Sequence, residues 1–334
     1  MIDLDKLSQL LNRPKRIVLL SHRNPDGDAI GSVLGMSYYL QGLGHQTKCI
    51  LPSEYPVFFE WMRQAHDILI YDLSAAECEK AVESAELIFC MDFNSLDRID
   101  RLGIKVLGSA APKVMVDHHL DPEPFADIVF SDPGYSSTSE MVYHLITGMG
   151  GSDVLSTEVM EVLYTGIMTD TGSFHHNTSE RVFNICAEFK RRGLDDSRIQ
   201  ELVLNSQPDK YLQLLGHCLY NRMELYPEKS FGLMYLTKED YRSYDIKRGD
   251  TEGIINYLMM LRNVKVGALV MNQPSIIKLS MRSKGDISVQ KICREHFGGG
   301  GHKNASGGFS KSSLDETLKK LREIMGVDKT VNTR

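Results

Sequence analysis

The chain has 334 residues, of which 42% are hydrophobic and 25% charged, proportions typical of a folded protein rather than of a disordered or fibrous one. Thirty-eight Lys and Arg residues against 44 Asp and Glu residues give a formal net charge of −6. This balance excludes a protein that coats long duplex nucleic acid with a basic face, but it leaves open a local pocket for a small anionic substrate.

The ends of the chain and its cysteines indicate a compartment. The N-terminal sequence MIDLDKL lacks the basic-then-apolar order of a secretory signal. No stretch approaches the ~20 predominantly apolar residues that a membrane span needs. The six cysteines are scattered, without a Cys-x-x-Cys pair, which argues against a disulfide framework. We therefore expect a cytoplasmic protein with no membrane partner.

Short apolar runs alternate with helical patterns in the first half of the chain. The runs are nearly continuous in Val, Ile and Leu, as expected of strands that are covered on both faces. A helical pattern over 28–43 separates the first two runs. This alternation predicts an α/β fold with a doubly wound, mostly parallel sheet. The four predicted strands are 16–22, 46–52, 87–92 and 113–119.

More helices follow the predicted sheet. The sequence from Ser137 to Glu140 has the form of a capping box, so we expect its hydroxyl groups to be structural rather than catalytic. Two further helical patterns cover 156–168 and 180–193, and the second ends in Lys and Arg followed by Gly. The polar residues of 194–210 form a candidate connector that is itself partly helical.

The last third of the chain changes character and predicts a smaller α+β domain. Its predicted strands are 231–237, 264–273 and 275–283, and its predicted helices are 253–262, 287–296 and 313–325. The resulting domain division is a first domain over 1–190, a linker over 191–210, a second domain over 211–326 and a tail over 327–334.

Acidic and histidine residues lie at the points where the apolar runs end. In an open α/β sheet, ligands bind beyond the carboxyl ends of the strands, so these side chains should converge on one edge. Burying several carboxylates together is prohibitive unless cations compensate for their repulsion and desolvation. The residues are His22, Asp26, Asp28, Asp92, Asp117, His118, His119 and Asp170.

The charge of this set predicts two metal ions. Four of the aspartates carry about −4, which two divalent cations would neutralise. With two neutral histidines they form an oxygen and nitrogen donor set that suits Mn²⁺ best, with Mg²⁺, Co²⁺ or Zn²⁺ as alternatives. Two ions bridged by a carboxylate would activate water for attack on phosphorus, which indicates metal-assisted phosphoester hydrolysis. The predicted donors are His22, Asp26, Asp28, Asp92, His118 and Asp170.

The same segments resemble the four motifs of the DHH phosphoesterases. The motifs lie at 22–32, at Asp92, at the literal triplet 117–119 and at 165–174. The glycine-rich run over 298–308 resembles the signature of the DHH-associated C-terminal domain. Together these matches cover nearly the whole chain. Within the superfamily, a compact two-domain chain of this size is most similar to the nanoRNase/pAp phosphatase branch.

The resemblance implies a role for each predicted metal ligand. His22 and Asp26 would bind one ion, and Asp92 would bridge both ions. The second ion would be bound by Asp28, His118 and Asp170.

It also implies roles for residues near the reacting phosphate. His119 would lie beside the scissile phosphate and either stabilise charge or assist proton transfer. Asp117 would orient a neighbouring imidazole, as metal sites routinely require. Arg98, six residues after Asp92, is either a phosphate contact or an ordinary surface arginine.

The glycine-rich run GGGGHKNASGG is neither a Walker loop nor a dinucleotide fingerprint, because the residues at the required spacing and the preceding strand are missing. Alone it could be a flexible linker, but its position inside a domain favours a phosphate-binding concavity. Arg282 and Ser283 would clamp a terminal phosphate, although Arg282 alone could be a plain surface charge. The predicted substrate contacts are Arg98, Arg282, Ser283, Gly299, Gly300, Gly301, His302 and Ser306.

The resemblance implies an Mn²⁺-dependent hydrolase that cuts oligoribonucleotides of about two to five nucleotides to mononucleotides and also dephosphorylates pAp. The active site would lie in the cleft between the domains, and a homodimer is a reasonable expectation. Three alternatives remain open at this point. They are cleavage of dinucleotide second messengers such as pApA or c-di-AMP, hydrolysis of inorganic pyrophosphate or polyphosphate, and a non-catalytic module that senses nucleotides.

Overall fold

The computed structural model describes residues 4–150, 152–247 and 249–328. The chain divides into two compact units, Met1–Ser206 and Gln207–Arg334. Of the predicted tail, residues 329–334 lie outside the described residues. Within the described ranges, no helix combines the length and the apolar character required to cross a membrane.

The first unit contains six strands and eight α-helices in its described residues. The strands are β1 (Arg16–Leu20), β2 (Gln46–Leu51), β3 (Leu69–Ile70), β4 (Leu87–Met91), β5 (Lys113–Asp117) and β6 (Ile128–Ser131). The helices are α1 (Leu4–Leu10), α2 (Gly27–Gly42), α3 (Tyr71–Glu83), α4 (Leu102–Gly108), α5 (Thr138–Gly150), α6 (Thr157–Asp170), α7 (Glu180–Arg191) and α8 (Asp196–Leu204).

The six strands form one parallel sheet in the order β3-β2-β1-β4-β5-β6. Both of its faces are covered. Ile17 and Leu19 of β1 pack into one hydrophobic cluster with residues of α2 and α6, whereas Val18 and Leu20 pack into a second cluster with residues of α3 and α4. The predicted doubly wound sheet is therefore confirmed, and the alternation of side chains along β1 explains its continuous apolar run.

Two strands of this sheet, β3 and β6, are not predicted by sequence analysis. β3 has only two residues, too few to produce a pattern. In β6, buried and partly exposed residues alternate, so this edge strand lacks the continuous apolar run of its neighbours. Both errors concern edge positions of the sheet and leave its centre, where the predicted site lies, unchanged.

The second unit contains six strands and five α-helices in its described residues. The strands are β7 (Met223–Tyr226), β8 (Phe231–Leu236), β9 (Val266–Asn272), β10 (Ile277–Ser283), β11 (Gly300–Gly301) and β12 (Ala305–Ser310). The helices are α9 (Asp209–Asn221), α10 (Lys238–Ser243), α11 (Ile254–Met259), α12 (Val289–Phe297) and α13 (Leu314–Met325).

These strands form a mixed sheet in the order β11-β12-β10-β9-β8-β7, in which β8 and β9 are parallel and the other neighbours antiparallel. The predicted smaller α+β domain is confirmed. One correction concerns the glycine-rich run, which is interpreted from sequence as a loop. Most of it is a hairpin formed by β11 and β12, and its second strand pairs with β10.

Candidate metal centre

The candidate centre lies at the carboxyl edge of the parallel sheet. β1, β4 and β5 are neighbours there, and they are followed by His22, Asp92 and the segment 117–119. Helix α2 begins at the same edge with Asp28 in its first turn, and α6 ends there with Asp170. The topology therefore brings together the residues that the sequence predicts, as expected for an open α/β sheet.

Three glycines allow α2 and α6 to approach closely. Gly27, Gly31 and Gly35 follow one another at four-residue spacing along α2, and each faces α6. A Cβ at Gly31 would overlap the backbone carbonyl oxygen of Val162, and one at Gly35 would lie 2.6 Å from Leu163 Cδ2. This approach brings the start of α2 beside the end of α6, and with it the aspartates that the two helices carry.

Asp92 is the residue that joins the two halves of the centre. Its Oδ2 lies 3.3 Å from His22 Nε2, and its Oδ1 lies 3.5 Å from His118 Nε2. Its backbone has a φ of +62°, a left-handed conformation that is uncommon for residues other than glycine. The two oxygens of this buried carboxylate thus face two different groups of side chains.

The first group consists of His22, Asp26 and Asp92, whose donor atoms lie within 4.8 Å of one another. Asp26 also caps α2, because its Oδ1 accepts the backbone N–H groups of Asp28 and Ala29, each at 3.0 Å. The helix cap fixes the Asp26 carboxylate against the helix start. This is the group that would hold the first predicted ion.

The second group consists of Asp28, Asp92 and His118, whose donor atoms also lie within 4.8 Å of one another. Asp170 joins them, because its Oδ2 lies 3.4 Å from His118 Nε2. The distance from His118 Nε2 to Asp28 Oδ2 is 3.7 Å. The structure therefore gathers all the predicted ligands of the second ion around one imidazole nitrogen.

Backbone carbonyls orient both histidines. His22 Nδ1 lies 2.9 Å from the carbonyl oxygen of Arg23, and His118 Nδ1 lies 3.4 Å from that of Tyr135. Because a carbonyl can only accept a hydrogen bond, the neutral form of each ring carries its proton on Nδ1. The lone pair of each Nε2 is then directed at the aspartates, which is the arrangement typical of metal-binding histidines.

The electrostatics of the cluster favour bound positive charge. Burial and the nearby carboxylates of Asp92 and Asp170 raise the pKa of Asp28 well above its ordinary value. Burial lowers the pKa of His118, but Asp170 and Asp92 outweigh it and hold this pKa well above the usual range. Burial raises the pKa of Asp92, but hydrogen bonds with His118 and His22 bring it well below the usual range. The pKa shifts of Asp28, His118 and Asp92 therefore all reflect a buried cluster in which bound positive charge is favourable.

His119 and Asp117 form a separate pair beside this cluster. His119 Nδ1 lies 2.8 Å from Asp117 Oδ1, and the backbone N–H of His119 donates to Asp117 Oδ2 at 3.0 Å. Burial lowers the pKa of His119 below its ordinary value, although Asp117 acts to raise it. The hydrogen bond with Oδ1 orients the His119 ring and the one with Oδ2 ties Asp117 to the His119 backbone, the relationship that sequence analysis predicts for Asp117.

Arg98 lies half-buried near the same cluster, in a short 3₁₀ turn over Leu96–Ile99. Burial and the positive charge of Arg98 both act to lower the pKa of His22 and of His119, although Asp92 leaves the pKa of His22 raised overall. Its backbone carbonyl accepts the N–H of Arg23 at 2.9 Å, so the loops after β1 and β4 are linked. The contact of Arg98 with a substrate phosphate stays a prediction.

The start of α5 also contributes to the centre, which sequence analysis misses. Thr138 Oγ1 donates to Asp92 Oδ1 at 3.0 Å. The predicted capping box is only partly present, because Ser137 Oγ accepts the Glu140 N–H whereas the Glu140 carboxylate accepts the Ser136 N–H. The expectation that the hydroxyls of this segment are purely structural is therefore too simple for Thr138. The helix-start pattern was the available signal, but it does not reveal the contact with Asp92.

In the second unit, the glycines serve the packing of the hairpin. A Cβ at Gly299 would overlap the backbone of Gly307 and lie 2.6 Å from Gly308 Cα. Gly301 has a φ of +134°, a conformation open to glycine but strained for other residues. Gly300, by contrast, has open space where a Cβ would stand. Close strand approach, which the sequence does not reveal, thus accounts for two of the three predicted glycine contacts.

The polar residues predicted around this run differ in their surroundings. Ser306 is buried, and its hydroxyl donates to the carbonyl of Gly300 at 2.6 Å. The hydroxyl of Ser283 donates to Ile287 O and accepts from Asn304 Nδ2. Both hydroxyls therefore hold local structure together. Arg282 and His302 are partly exposed, Arg282 near the end of β10 and His302 in the turn between β11 and β12.

Taken together, the donor set of the first unit fits two divalent cations. It offers the four carboxylates and two imidazole nitrogens that the charge argument requires, and it places one carboxylate between the two groups. Oxygen and nitrogen donors without thiolates suit Mn²⁺ and similar ions.

Comparison with known proteins gives matches in both halves of the chain. The family model described as "DHH family, N-terminal domain" matches residues 16–167. The model described as "DHHA1 domain" matches residues 232–326. The first match contains all the residues of the candidate centre except Asp170, and the second contains the glycine-rich run.

Relatives match along most of the chain. The bifunctional oligoribonuclease and PAP phosphatase NrnA of Thermus thermophilus is 28% identical over 316 residues, which cover 92% of this chain and 89% of the relative. The crystal structure of an exopolyphosphatase-related protein from Bacteroides fragilis is 37% identical, with a TM-score of 0.92, and the match covers 98% of this chain and 97% of that one.

A more distant structure shares the fold alone. RecJ from Thermus thermophilus, determined in complex with Mn²⁺, is 13% identical, with a TM-score of 0.54. The match covers 96% of this chain and 53% of that one.

Proposed function

The chain belongs to the DHH family of phosphoesterases, and we propose that it hydrolyses short oligoribonucleotides to mononucleotides and removes a phosphate from pAp. The single observation that carries the proposal is the position of Asp92, whose two oxygens face two separate groups of metal-binding side chains. A carboxylate placed in this way is what a site for two cations requires.

Each residue of the centre has a defined part in this proposal. His22 and Asp26 would bind one cation, and Asp92 would bind both. The other cation would also be bound by a second set of residues, which consists of Asp28, His118 and Asp170. Two such ions would neutralise charge on the phosphoryl group and activate the attacking water.

Two further residues act on the phosphoester itself, and a third positions one of them. We place His119 beside the scissile phosphate, held by its hydrogen bonds to Asp117. Arg98 would contact a phosphate oxygen, because it is partly buried in the turn after β4 and its carbonyl accepts the N–H of Arg23, the residue next to His22. A planar guanidinium suits bidentate contact with a phosphate.

The second unit would hold the part of the substrate that is not cleaved. Arg282, His302 and the open position at Gly300 are its candidate contacts. A few local contacts would suit a short substrate, whereas the net charge of −6 disfavours a long electrostatic track. The name of the Thermus relative, an oligoribonuclease and PAP phosphatase, supports this substrate class.

We propose Mn²⁺ as the natural cation. The donor set contains oxygen and imidazole nitrogen only, which suits Mn²⁺ better than the thiolate-seeking metals. The RecJ structure of the same fold was determined with Mn²⁺, which agrees with this choice.

A second candidate function is hydrolysis of inorganic polyphosphate. It is favoured by the 37% identity to a protein described as exopolyphosphatase-related. In this case the second unit would contact phosphates only, and no base or ribose would affect the rate.

One side-by-side assay tests the proposal. The purified chain is given Mn²⁺ and, separately, pApA, c-di-AMP, end-labelled RNA of two to five and of about 25 nucleotides, pAp and polyphosphate. We expect turnover of pApA, the short RNAs and pAp, with little cleavage of the long RNA. Activity confined to polyphosphate, or to c-di-AMP, would overturn the nucleotide proposal. Asp92→Asn serves as the inactive control.

A further inference from the structure

Helix α5 begins directly at the candidate metal centre. Its first residue, Thr138, is fully buried and contacts two predicted ligands. The Thr138 N–H donates to Asp28 Oδ2 at 2.6 Å, and the Thr138 hydroxyl donates to Asp92 Oδ1 at 3.0 Å. The next N–H of the helix, that of Ser139, donates to Asp28 Oδ1 at 2.8 Å. One residue thus links the aspartates that follow β1 and β4.

A bridging carboxylate needs a fixed orientation. Asp92 Oδ2 must face the first group and Oδ1 the second, because rotation about the side-chain bonds would remove both contacts. The Asp92 N–H donates to Val116 O of β5 at 2.9 Å, which fixes the backbone of Asp92 but not the rotation of its carboxylate. The orientation therefore depends on hydrogen bonds to the carboxylate.

The histidines cannot supply these hydrogen bonds in the metal-bound state. An imidazole nitrogen that binds a cation carries no proton, so Nε2 of His22 and Nε2 of His118 would no longer donate to Asp92. The hydroxyl of Thr138 does not bind a cation in this arrangement and keeps its proton. Its hydrogen bond to Oδ1 leaves a further lone pair of that oxygen for an ion.

We propose that Thr138 is a positioning residue for the two-cation centre. Its hydroxyl holds Asp92 Oδ1 toward the second group of ligands, and its N–H, with that of Ser139, holds Asp28 in the same group. This inference rests on the metal centre of the proposed function. It adds that binding of a cation by the second group depends on the hydroxyl of Thr138.

Two substitutions separate the hydroxyl from the shape of the side chain. Thr138→Val removes the donor and keeps the branched shape, and the backbone N–H is retained. Thr138→Ser keeps the donor and is the matched control. Mn²⁺ binding to each full-length variant is measured by calorimetric titration and by electron paramagnetic resonance, and thermal unfolding is measured without metal.

We expect Thr138→Val to bind the second Mn²⁺ about 10–100-fold more weakly than the wild type. At two equivalents its spectrum should show isolated Mn²⁺ where the wild type shows a spin-coupled pair. Thr138→Ser should retain the coupled pair. Without metal, Thr138→Val should still unfold cooperatively, at a temperature modestly below that of the wild type because one buried hydrogen bond is lost.

Three results would overturn the inference. The first is a Thr138→Val protein that binds two coupled Mn²⁺ ions as tightly as the wild type. The second is a Thr138→Ser protein that also loses the coupled pair, because the effect would then not depend on the hydroxyl. The third is a wild-type chain that binds no Mn²⁺, which would overturn the proposed function together with the role of Thr138.

Discussion

Two regions of the molecule use glycine in different ways. In the first unit, the glycines of α2 are spaced every four residues and allow α6 to approach the helix closely. In the second unit, the glycines are contiguous and form the strands of a hairpin that approach each other closely. From sequence, only the second set attracts a functional interpretation, because a run of glycines is conspicuous and a spaced set is not.

The comparison shows where the function depends on packing. The crossing of α2 and α6 brings Asp28 close to Asp170. Its glycines therefore affect the candidate metal centre by allowing the two helix backbones to approach each other. In the hairpin, close strand approach explains Gly299 and Gly301, whereas Gly300 faces open space. A glycine without a packing reason is therefore the better candidate for a substrate contact.

The largest effect is expected for Gly31→Ala in the helix crossing. Its Cβ would overlap the carbonyl oxygen of Val162, which belongs to the backbone and cannot rotate away. We expect a loss of about 1–3 kcal/mol in the free energy of unfolding, with weaker Mn²⁺ binding. The fluorescence of Trp61, the single tryptophan of the chain, reports unfolding of this unit.

The matched control for this change is Gly42→Ala, at the end of the same helix. No atom lies within 4 Å of the Cβ that it would add. Alanine is favoured over glycine in a helix, so the stability should stay the same or rise by up to about 1 kcal/mol. Equal stability and equal Mn²⁺ binding for the two variants would show that the crossing is not tight.

The next effect is divided between two positions of the hairpin. Gly299→Ala should destabilise the protein by about 1–3 kcal/mol in chemical denaturation followed by circular dichroism, because the strands would have to separate. Gly300→Ala should keep the stability but raise KM about tenfold, since its methyl group would occupy the space of a bound phosphate. An unchanged KM for Gly300→Ala would indicate that the glycine run has a structural role and does not contact the substrate.

The smallest effect is expected for His302→Ala. It should lower kcat/KM for short RNA by about tenfold and leave the Mn²⁺ content intact, because the residue belongs to substrate binding in our proposal. The exposed His296 of α12 offers a control, and His296→Ala should behave as the wild type. Loss of Mn²⁺ from His302→Ala would instead make the residue part of the metal centre.

Sequence reasoning succeeds where one residue follows one strand. Asp92 directly follows β4, His22 comes two residues after β1 and Asp117 is the last residue of β5, and parallel strands place their carboxyl ends at one edge. Asp170 is found in the same way, as the end of a helical pattern. The centre of the parallel sheet and the convergence of these side chains on its edge could therefore be predicted from local patterns and topology.

It fails where a contact depends on packing between distant elements. The hydrogen bond of Thr138 joins residues 46 positions apart, and nothing in the capping pattern indicates its partner. The hydrogen bond from the Ser306 hydroxyl to Gly300 O inside the hairpin is likewise not indicated by the sequence. Short edge strands such as β3 leave no periodic signal at all.

The most direct test of the account is the number of Mn²⁺ ions that the chain binds. Calorimetric titration and electron paramagnetic resonance should show two coupled ions per wild-type chain. Asp92→Asn should lose the coupled pair, whereas Asp97→Asn, an exposed residue five positions further along, should keep it. A wild-type chain that binds fewer than two ions, or an Asp92→Asn chain that still binds a coupled pair, would contradict the account.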